Sequence, residues 1–117
     1  MFDAKNNRKT GSHYESQVAA FLETMGFQIL EKNYRCRSGE IDLIALDGRY
    51  LVFIEVKFRS SRNAGYALEA INQRKAAQVR RVAEYYLYQK HYPENTPVRF
   101  DAAGIDGTDI TYIKHAF

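Results

Sequence analysis

Two apolar runs joined by a tight turn constrain the fold of this chain more than any other feature. Residues 39–46 and 50–57 are rich in Val, Ile, Leu and aromatic side chains, and an Asp-Gly-Arg segment separates them. An Asp-Gly pair is a strong signal for a β-hairpin turn. The second run is apolar at both parities until Glu55 and Lys57, as expected of a central strand covered on both faces. The sequence therefore predicts a buried antiparallel hairpin.

The two charges at the end of this hairpin need a partner, because an unpaired buried charge costs several kcal/mol. Side chains alternate along a strand, so Glu55 and Lys57 share a face. Asp42 in the partner strand reaches that face if the register places it opposite Glu55. Acidic groups with a lysine at their edge suit Mg²⁺ and phosphate. The plainer alternative is a solvated Asp42 beside a weak ion pair between Glu55 and Lys57.

The composition indicates one soluble domain. A chain of 117 residues with 45% hydrophobic and 26% charged residues supports one core. We expect residues 1–9 to form a flexible arm and residues 10–117 the single domain. Cys36 is the only cysteine, which excludes an intramolecular disulfide and a cysteine metal site. The chain shows no apolar signal core and no membrane-length run, so we expect a cytoplasmic protein without membrane contact.

The remaining periodicity predicts an α/β fold with the order α-β-β-β-α-β-β. A helix starts at Thr10 or Ser12, and Gly26 ends it. Arg99 and Asp101 share a strand face and pair with each other or with Arg59. These elements give a five-stranded mixed sheet flanked by helices. The other predicted elements are a first strand over residues 27–35, a helical turn over 66–71, a second helix over 73–90, and strands over 97–103 and 109–114.

Glu15 and Glu40 are further acidic candidates. Glu15 lies on the apolar stripe of the first helix, where a carboxylate faces the sheet. Stabilisation of a first-turn glutamate by the helix dipole explains the same spacing equally well. Glu40 precedes Asp42 by two residues and can point to the same face as a reserve ligand, although a strand-start charge is the plainer interpretation.

Basic residues are concentrated after the hairpin. The net charge is only +3, but residues 57–81 contain seven Lys or Arg and a single acidic residue, Glu69. Such an excess suits a polyanion, with a solvated basic face as the alternative. Arg59 and Arg62 lie in a polar loop next to the hairpin. Gln73 and Lys75 occupy the first turn of the second helix, where backbone N–H groups favour an anion. The expected roles of these two residues are to contact DNA or to position water; the alternative is that they are solvated surface residues.

Two motifs carry a resemblance to known proteins. Asp42 followed by Glu55-Val56-Lys57 resembles the Asp…(Asp/Glu)-x-Lys signature of the restriction-endonuclease-like nucleases, a superfamily that includes archaeal Holliday-junction resolvases. The wider pattern resembles the YraN-like family of small uncharacterised bacterial proteins. The similarity covers nearly the whole chain from Gly11, and its matching pieces are residues 39–45, 52–59, 99–101 and 116–117.

The resemblance implies a restriction-endonuclease-like fold and Mg²⁺-dependent hydrolysis of DNA phosphodiester bonds, with Mn²⁺ able to replace Mg²⁺. Related resolvases place a glutamate of the first helix in the metal site, which favours Glu15 as a ligand. The implied metal ligands are Asp42, Glu55, the backbone carbonyl of Val56, and Glu15. Lys57 orients the nucleophile and stabilises charge on the phosphate.

The same resemblance implies DNA, including branched or junction DNA, as the partner. Arg59, Arg62, Gln73 and Lys75 are expected to hold its backbone. A homodimer would match a two-fold junction. The alternative function is a nucleic-acid-binding module of the same fold without turnover. A third, weaker alternative is a structural subunit with no salt-dependent DNA affinity.

Overall fold

A mixed five-stranded sheet lies between two helices. The computed structural model describes residues 2–59 and 73–117, with side chains for residues 13–58 and 73–117. The elements in chain order are α1 (Phe2–Thr24), β1 (Gln28–Cys36), β2 (Gly39–Asp47), β3 (Tyr50–Arg59), α2 (Gln73–Gln89), β4 (Val98–Asp106) and β5 (Asp109–Ile113). This order and the mixed α/β class confirm the coarse prediction from the sequence.

The strands lie side by side in their order along the chain, from β1 to β5. All neighbouring pairs are antiparallel except β3 and β4, which are parallel. The predicted hairpin is confirmed, since Asp47 pairs with Tyr50 and Gly48 adopts a φ of 60° in the turn between them. The pairing of β2 with β3 runs from there to Leu43 and Ile54. One further step of the same register brings Asp42 to the level of Glu55.

Helix α1 covers one face of the sheet. Val18, Ala19 and Leu22 lie on one side of the helix and pack on a buried cluster that includes Leu43 and Ile54. The helix ends in a Schellman arrangement, with Gly26 at a φ of 93° and the Phe27 N–H donating to the Leu22 carbonyl at 3.0 Å. This anchoring fixes the depth at which the earlier turns of α1 meet the sheet.

Helix α2 covers the other face. Its buried residues Val79, Val82 and Tyr86 pack on a second cluster that contains Leu51 and Phe53 of β3. Alternation along β3 therefore places Glu55 and Lys57 on the α2 side of the sheet, beyond Phe53. The first turn of α2 approaches the sheet at this same end.

Several predicted boundaries differ from the structure. The predicted start of the first helix is wrong, because α1 begins at Phe2 rather than at Thr10 or Ser12 and so includes the residues expected to form a flexible arm. Ala4, Lys5, Arg8 and Lys9 favour the helix in this segment, and Gly11 costs only about 1 kcal/mol relative to alanine. Strand β4 continues to Asp106, beyond the predicted end at residue 103. The predicted helical turn over residues 66–71 lies outside the described residues.

A buried polar network ties β4 to its neighbours. Arg99 donates to Asp101 through Nε at 3.0 Å and through Nη2 at 2.9 Å, which confirms that the two residues pair with each other. Asp101 also accepts from the Tyr112 hydroxyl at 2.6 Å and the His115 N–H at 3.0 Å. Arg99 reaches Asp47 at 2.9 Å as well. In the part of the chain that the structure describes, no helix has the length and apolar character needed to cross a bilayer.

Candidate metal site at the end of the hairpin

Asp42 marks the point where the ladder between β2 and β3 ends. The Val56 N–H donates a hydrogen bond to Oδ2 of the Asp42 side chain at 2.7 Å. Charged hydrogen bonds of this kind are short and strong, so the carboxylate is fixed between the two strands. From this position it is open to groups from both faces of the sheet.

Glu15 approaches Asp42 from helix α1. Oxygen atoms of Glu15, Glu40 and Asp42 all lie within 4.8 Å of one another. Glu15 is only 7% exposed. Glu40 is more accessible and forms an ion pair with Arg35 at 3.4 Å. The reserve candidate Glu40 thus belongs to the same carboxylate group as Glu15 and Asp42.

Glu55 approaches Asp42 from the α2 side and is paired with two lysines. Its Oε2 lies 3.4 Å from Lys75 Nζ and 3.9 Å from Lys57 Nζ. The side chain is 4% exposed, so these ammonium groups offset a carboxylate that water scarcely reaches. Glu55 is not part of the three-carboxylate group within 4.8 Å, which is formed by described residues from α1 and β2.

The carboxylates resist ionisation together. Burial raises the pKa of Glu15 to about 7, and the charge of Asp42 contributes. Burial, followed by the charge of Asp42, also raises the pKa of Glu55 to about 7, against the opposing effect of Lys75 and Lys57. Burial raises the pKa of Asp42 too, although the hydrogen bond from the Val56 N–H works in the opposite direction. Such groups are stabilised by any cation that enters among them.

A cleft of about 530 Å³ opens onto this site. Asp42 and Glu40 line it from β2, and Lys75 and Gln78 line it from α2. The backbone at Gly39 favours glycine because its φ is 144°, and a Cβ atom there would lie 2.8 Å from Nε2 at the end of the Gln78 side chain. Asp42 and Glu40 are therefore accessible from the cleft, whereas Glu15 and Glu55 are buried.

The donor atoms suit a hard divalent cation. They are carboxylate oxygens, the ligands that Mg²⁺ and Mn²⁺ prefer. Oε1 of Glu15 and Oε1 of Glu55 are buried and have no hydrogen-bond donor among the described residues. Native structures rarely leave buried polar oxygens unsatisfied without an ion, water or functional reason. The oxygen donors and the two oxygens without a hydrogen-bond donor are therefore compatible with a bound metal ion.

Most of the predicted site residues converge here. Glu15, Asp42, Glu55, Val56 and Lys57 come together, and Lys75 joins them at the Glu55 carboxylate. Gln73 begins α2 and is exposed. The side chain of Arg59 and the whole of Arg62 lie outside the described residues.

Three residues near the site were not predicted as part of it. Arg35 pairs with Glu40, Gln78 accepts from Lys75 Nζ at 3.5 Å, and Asn33 lowers the pKa of Glu15 by a side-chain hydrogen bond. Asn33 has a φ of 56°, a conformation that asparagine tolerates better than most residues. An asparagine inside an otherwise regular strand pattern was the available signal. Gln78 and Arg35 carry no comparable local signal.

Comparison with known sequences assigns the chain to a family. The sequence model of the uncharacterised protein family UPF0102 matches residues 14–105. The chain belongs to this family. The matched stretch contains the acidic hairpin, Glu15 and Lys75, so the site described above lies wholly inside the family's shared region.

Relatives at 40% identity or more extend over nearly the full chain. The UPF0102 protein of Lachnoclostridium phytofermentans is 43% identical over 112 residues, covering 96% of this chain and 95% of that protein. The UPF0102 protein of Caldicellulosiruptor saccharolyticus is 41% identical, covering 96% of this chain and 99% of the relative. That of Syntrophus aciditrophicus is 40% identical and covers 100% of this chain and 94% of its own length.

Proposed function

We propose that this UPF0102 chain is a divalent-metal-dependent endonuclease that hydrolyses phosphodiester bonds of DNA. The observation that carries the proposal is the partly buried Asp42 carboxylate, which accepts from the Val56 N–H and is flanked by two buried glutamates, each with an oxygen that has no hydrogen-bond donor among the described residues. Buried carboxylate oxygens without a donor are uncommon in a purely structural ion-pair cluster. An oxygen-lined, accessible site beside ammonium groups is suited to a metal ion and a phosphate.

The fold assignment within this proposal is restriction-endonuclease-like. A helix, a three-stranded antiparallel unit, a second helix and a parallel strand occur here in that order. Asp42 and the Glu55-x-Lys57 motif meet where β2 and β3 stop pairing, as the nuclease signature requires. Function is nevertheless argued from the site, because folds of this kind host several activities.

The proposed ligands are Asp42, Glu55, the Val56 carbonyl and Glu15, and the position of Glu40 adds it as a further candidate. When bound, Mg²⁺ supplies Lewis acidity toward the scissile phosphate and an attacking water, and Mn²⁺ can replace it. A bound ion would displace the protons of these carboxyl groups to solvent and would offset the burial and mutual repulsion that raise their pKa values.

Two lysines have distinct proposed tasks. Lys57 extends from β3 past Glu55 and is one-third exposed, so its ammonium is available to orient water and to stabilise charge developing on the phosphate. Lys75 lies nearer to Glu55 and comes from the first turn of α2, where backbone N–H groups favour an anion. It holds Glu55 in place and contacts the DNA backbone.

The neighbouring basic residues would position DNA without reading its sequence. Arg59 ends β3, Arg62 follows three residues later in the sequence, and Gln73 starts α2, the helix that lines the cleft with Lys75. Contacts from such residues to phosphate oxygens fix register and orientation on the strand. Branched or junction DNA is the proposed substrate geometry within this class.

Incubation of the protein with single-stranded, duplex, flap and four-way-junction DNA in Mg²⁺, Mn²⁺ or EDTA tests the function. The expected result is cleavage of at least one substrate with either metal and none in EDTA. Glu55→Gln should abolish it. Glu84→Gln, which changes an exposed glutamate of α2, is the matched control and should cleave like the wild type.

One observation favours a second candidate, a DNA-binding module without turnover. Glu55 already has two ammonium groups within 4 Å, so lysines could neutralise the site in place of a metal ion. Salt-dependent binding of every substrate with cleavage of none would support this module. Absence of any salt-dependent DNA affinity would instead support a structural subunit.

A further inference from the structure

A second cavity lies directly beside the cleft of the acidic site. Its volume is about 490 Å³, and it is formed by the turn between β1 and β2 together with the last part of α2. Arg35 and Cys36 line both this cavity and the cleft that contains Asp42. A polymer that occupies the cleft can therefore continue into this cavity without leaving the protein surface.

The walls of the cavity are aromatic and well supported. Tyr85 contributes a side chain that is 44% exposed, so the residue is available for stacking. Tyr34 also lines the cavity, and its hydroxyl donates a hydrogen bond to Gln89 Oε1. Its ring also packs edge-on against Tyr86 at a centroid distance of 4.9 Å. These contacts hold the Tyr34 ring in one orientation.

The charge of the cavity is positive. Its described lining includes Arg35 and Arg37 and no aspartate or glutamate. Arg37 is exposed, and Arg35 pairs at 3.4 Å with Glu40 of the carboxylate group. Arg35 therefore stands between the two cavities, where it can contact the phosphate that links a nucleotide in one to a nucleotide in the other.

The geometry points to a binding site for an unpaired nucleobase, so that the substrate is DNA with unpaired nucleotides next to the scissile phosphate. This inference rests on the proposed DNA hydrolysis. A base within a duplex is stacked on its neighbours and is not free to enter a lateral cavity. An unpaired base can stack on tyrosine while arginines follow its backbone, the combination that proteins use to bind single strands. The aromatic walls, the cations and the continuity with a phosphodiester site favour this occupant over a peptide.

Binding measured without metal tests this inference separately from cleavage. Fluorescence anisotropy in EDTA would compare a labelled single strand with a duplex of the same length. Wild-type protein should bind the single strand more tightly than the duplex. Tyr85→Ala should weaken single-strand binding by about 10-fold, as expected for one lost stacking contact. Tyr85→Phe, which keeps the ring, should bind within about twofold of the wild type.

Tyr88→Ala is the matched control, because Tyr88 lies on the same helix, is 79% exposed and lines a different cavity. It should leave the affinity for both DNAs unchanged. Equal affinity of the wild type for single strand and duplex, an unchanged single-strand affinity in Tyr85→Ala, or an equal loss on both DNAs would each overturn the inference. Tyr85-dependent binding by a protein that cleaves nothing would uphold the base site and overturn the hydrolase.

Discussion

Glu55 is a buried carboxylate whose ionised form is costly to the fold. It is buried, its pKa is raised to about 7, and one of its oxygens has no donor among the described residues. A hydrophobic residue at this position would pack on the same cluster as Phe53 without that cost. A divalent cation bound to the carboxylate oxygens would account for this buried glutamate.

Alanine variants of Glu55 and Lys57 should differ in whether they lose metal binding as well as cleavage. Glu55→Ala removes an oxygen ligand and should lose both Mn²⁺ affinity and DNA cleavage. Lys57→Ala should lose cleavage but keep Mn²⁺ affinity, since an ammonium group donates no lone pair to a metal. Calorimetric titration with Mn²⁺ and a cleavage assay measure the two properties.

The control for this pair is Lys32→Ala, which removes an exposed ammonium group of β1. It should retain both Mn²⁺ affinity and DNA cleavage. An equal loss of metal affinity in the Glu55 and Lys57 variants would contradict the division of roles.

The raised pKa values of Glu15 and Glu55 predict a pH-dependent apo protein. Both rise from 4.5 to about 7 on folding, so the folded state binds protons more tightly than the unfolded state. The free energy of unfolding should fall as pH climbs from about 4.5 to about 7, by about 3 kcal/mol per carboxyl group. Urea denaturation in EDTA at pH 5.5 and pH 8 measures this loss.

Glu15→Gln should reduce the difference between the two pH values, and Glu84→Gln, exposed on α2, should leave it unchanged. Saturating Mn²⁺ should reduce it in the wild type as well. Greater stability of the apo wild type at pH 8 than at pH 5.5 would count against a cluster of repelling carboxylates.

At the scale of single residues, the sequence indicates those parts of the site that strand alternation determines. Asp42, Glu55 and Lys57 follow from the hairpin and its two-residue period. The distances from Lys75, Gln78 and Arg35 to these groups depend on how α2 and the β1–β2 turn pack, which no local pattern encodes. The role of Glu15 cannot be decided from the sequence, because a glutamate stabilised by the helix dipole and one that faces a buried site occupy the same position in the helix.

At the scale of elements, the hairpin and α2 were predictable and the start of α1 was not. The Asp-Gly turn and the apolar runs fix β2 and β3 within two residues at either end. Residues 2–12 carry no periodic apolar stripe, so their helical backbone has no hydrophobic pattern to reveal it. Strand β4 extends to Asp106 because it pairs with both β3 and β5 over that length.

The polar network of β4 should be critical for stability. Asp101 is fully buried and accepts hydrogen bonds from Arg99, Tyr112 and the His115 backbone. Asp101→Ala leaves the buried Arg99 with Asp47 alone and should cost about 3–5 kcal/mol in the free energy of unfolding. Urea denaturation measures the change.

Asp109→Ala is the control, because Asp109 is an exposed aspartate on the adjacent strand. Its effect should stay within about 0.5 kcal/mol. A loss below about 1 kcal/mol for Asp101→Ala would show that the network does not hold β4 in the sheet.

At the scale of the whole molecule, the site exists because both layers of helix meet one end of the sheet. Glu15 arrives from α1, Asp42 and Glu55 from the central strands, and Lys75 from α2. The parallel pairing of β3 with β4 requires a crossover between them, and α2 lies in that connection. The sequence predicts the elements and the mixed sheet. Only the packed structure shows that these four side chains lie at the same end of the sheet.

The measurement that tests the metal site most directly is thermal unfolding of the wild type and Asp42→Asn in EDTA and in Mn²⁺. Asparagine can still accept the Val56 N–H through its carbonyl oxygen while removing one repelling charge. Near neutral pH, Asp42→Asn should therefore melt higher than the wild type in EDTA. Mn²⁺ at a hundredfold excess over its Kd should stabilise the wild type by about 2.7 kcal/mol, raising Tm by roughly 10 °C.

The same excess of Mn²⁺ should change the Tm of Asp42→Asn little. A wild type that does not respond to Mn²⁺, together with an Asp42→Asn variant that melts lower than the wild type in EDTA, would contradict the metal site. That result would identify the cluster as an ordinary ion-pair network.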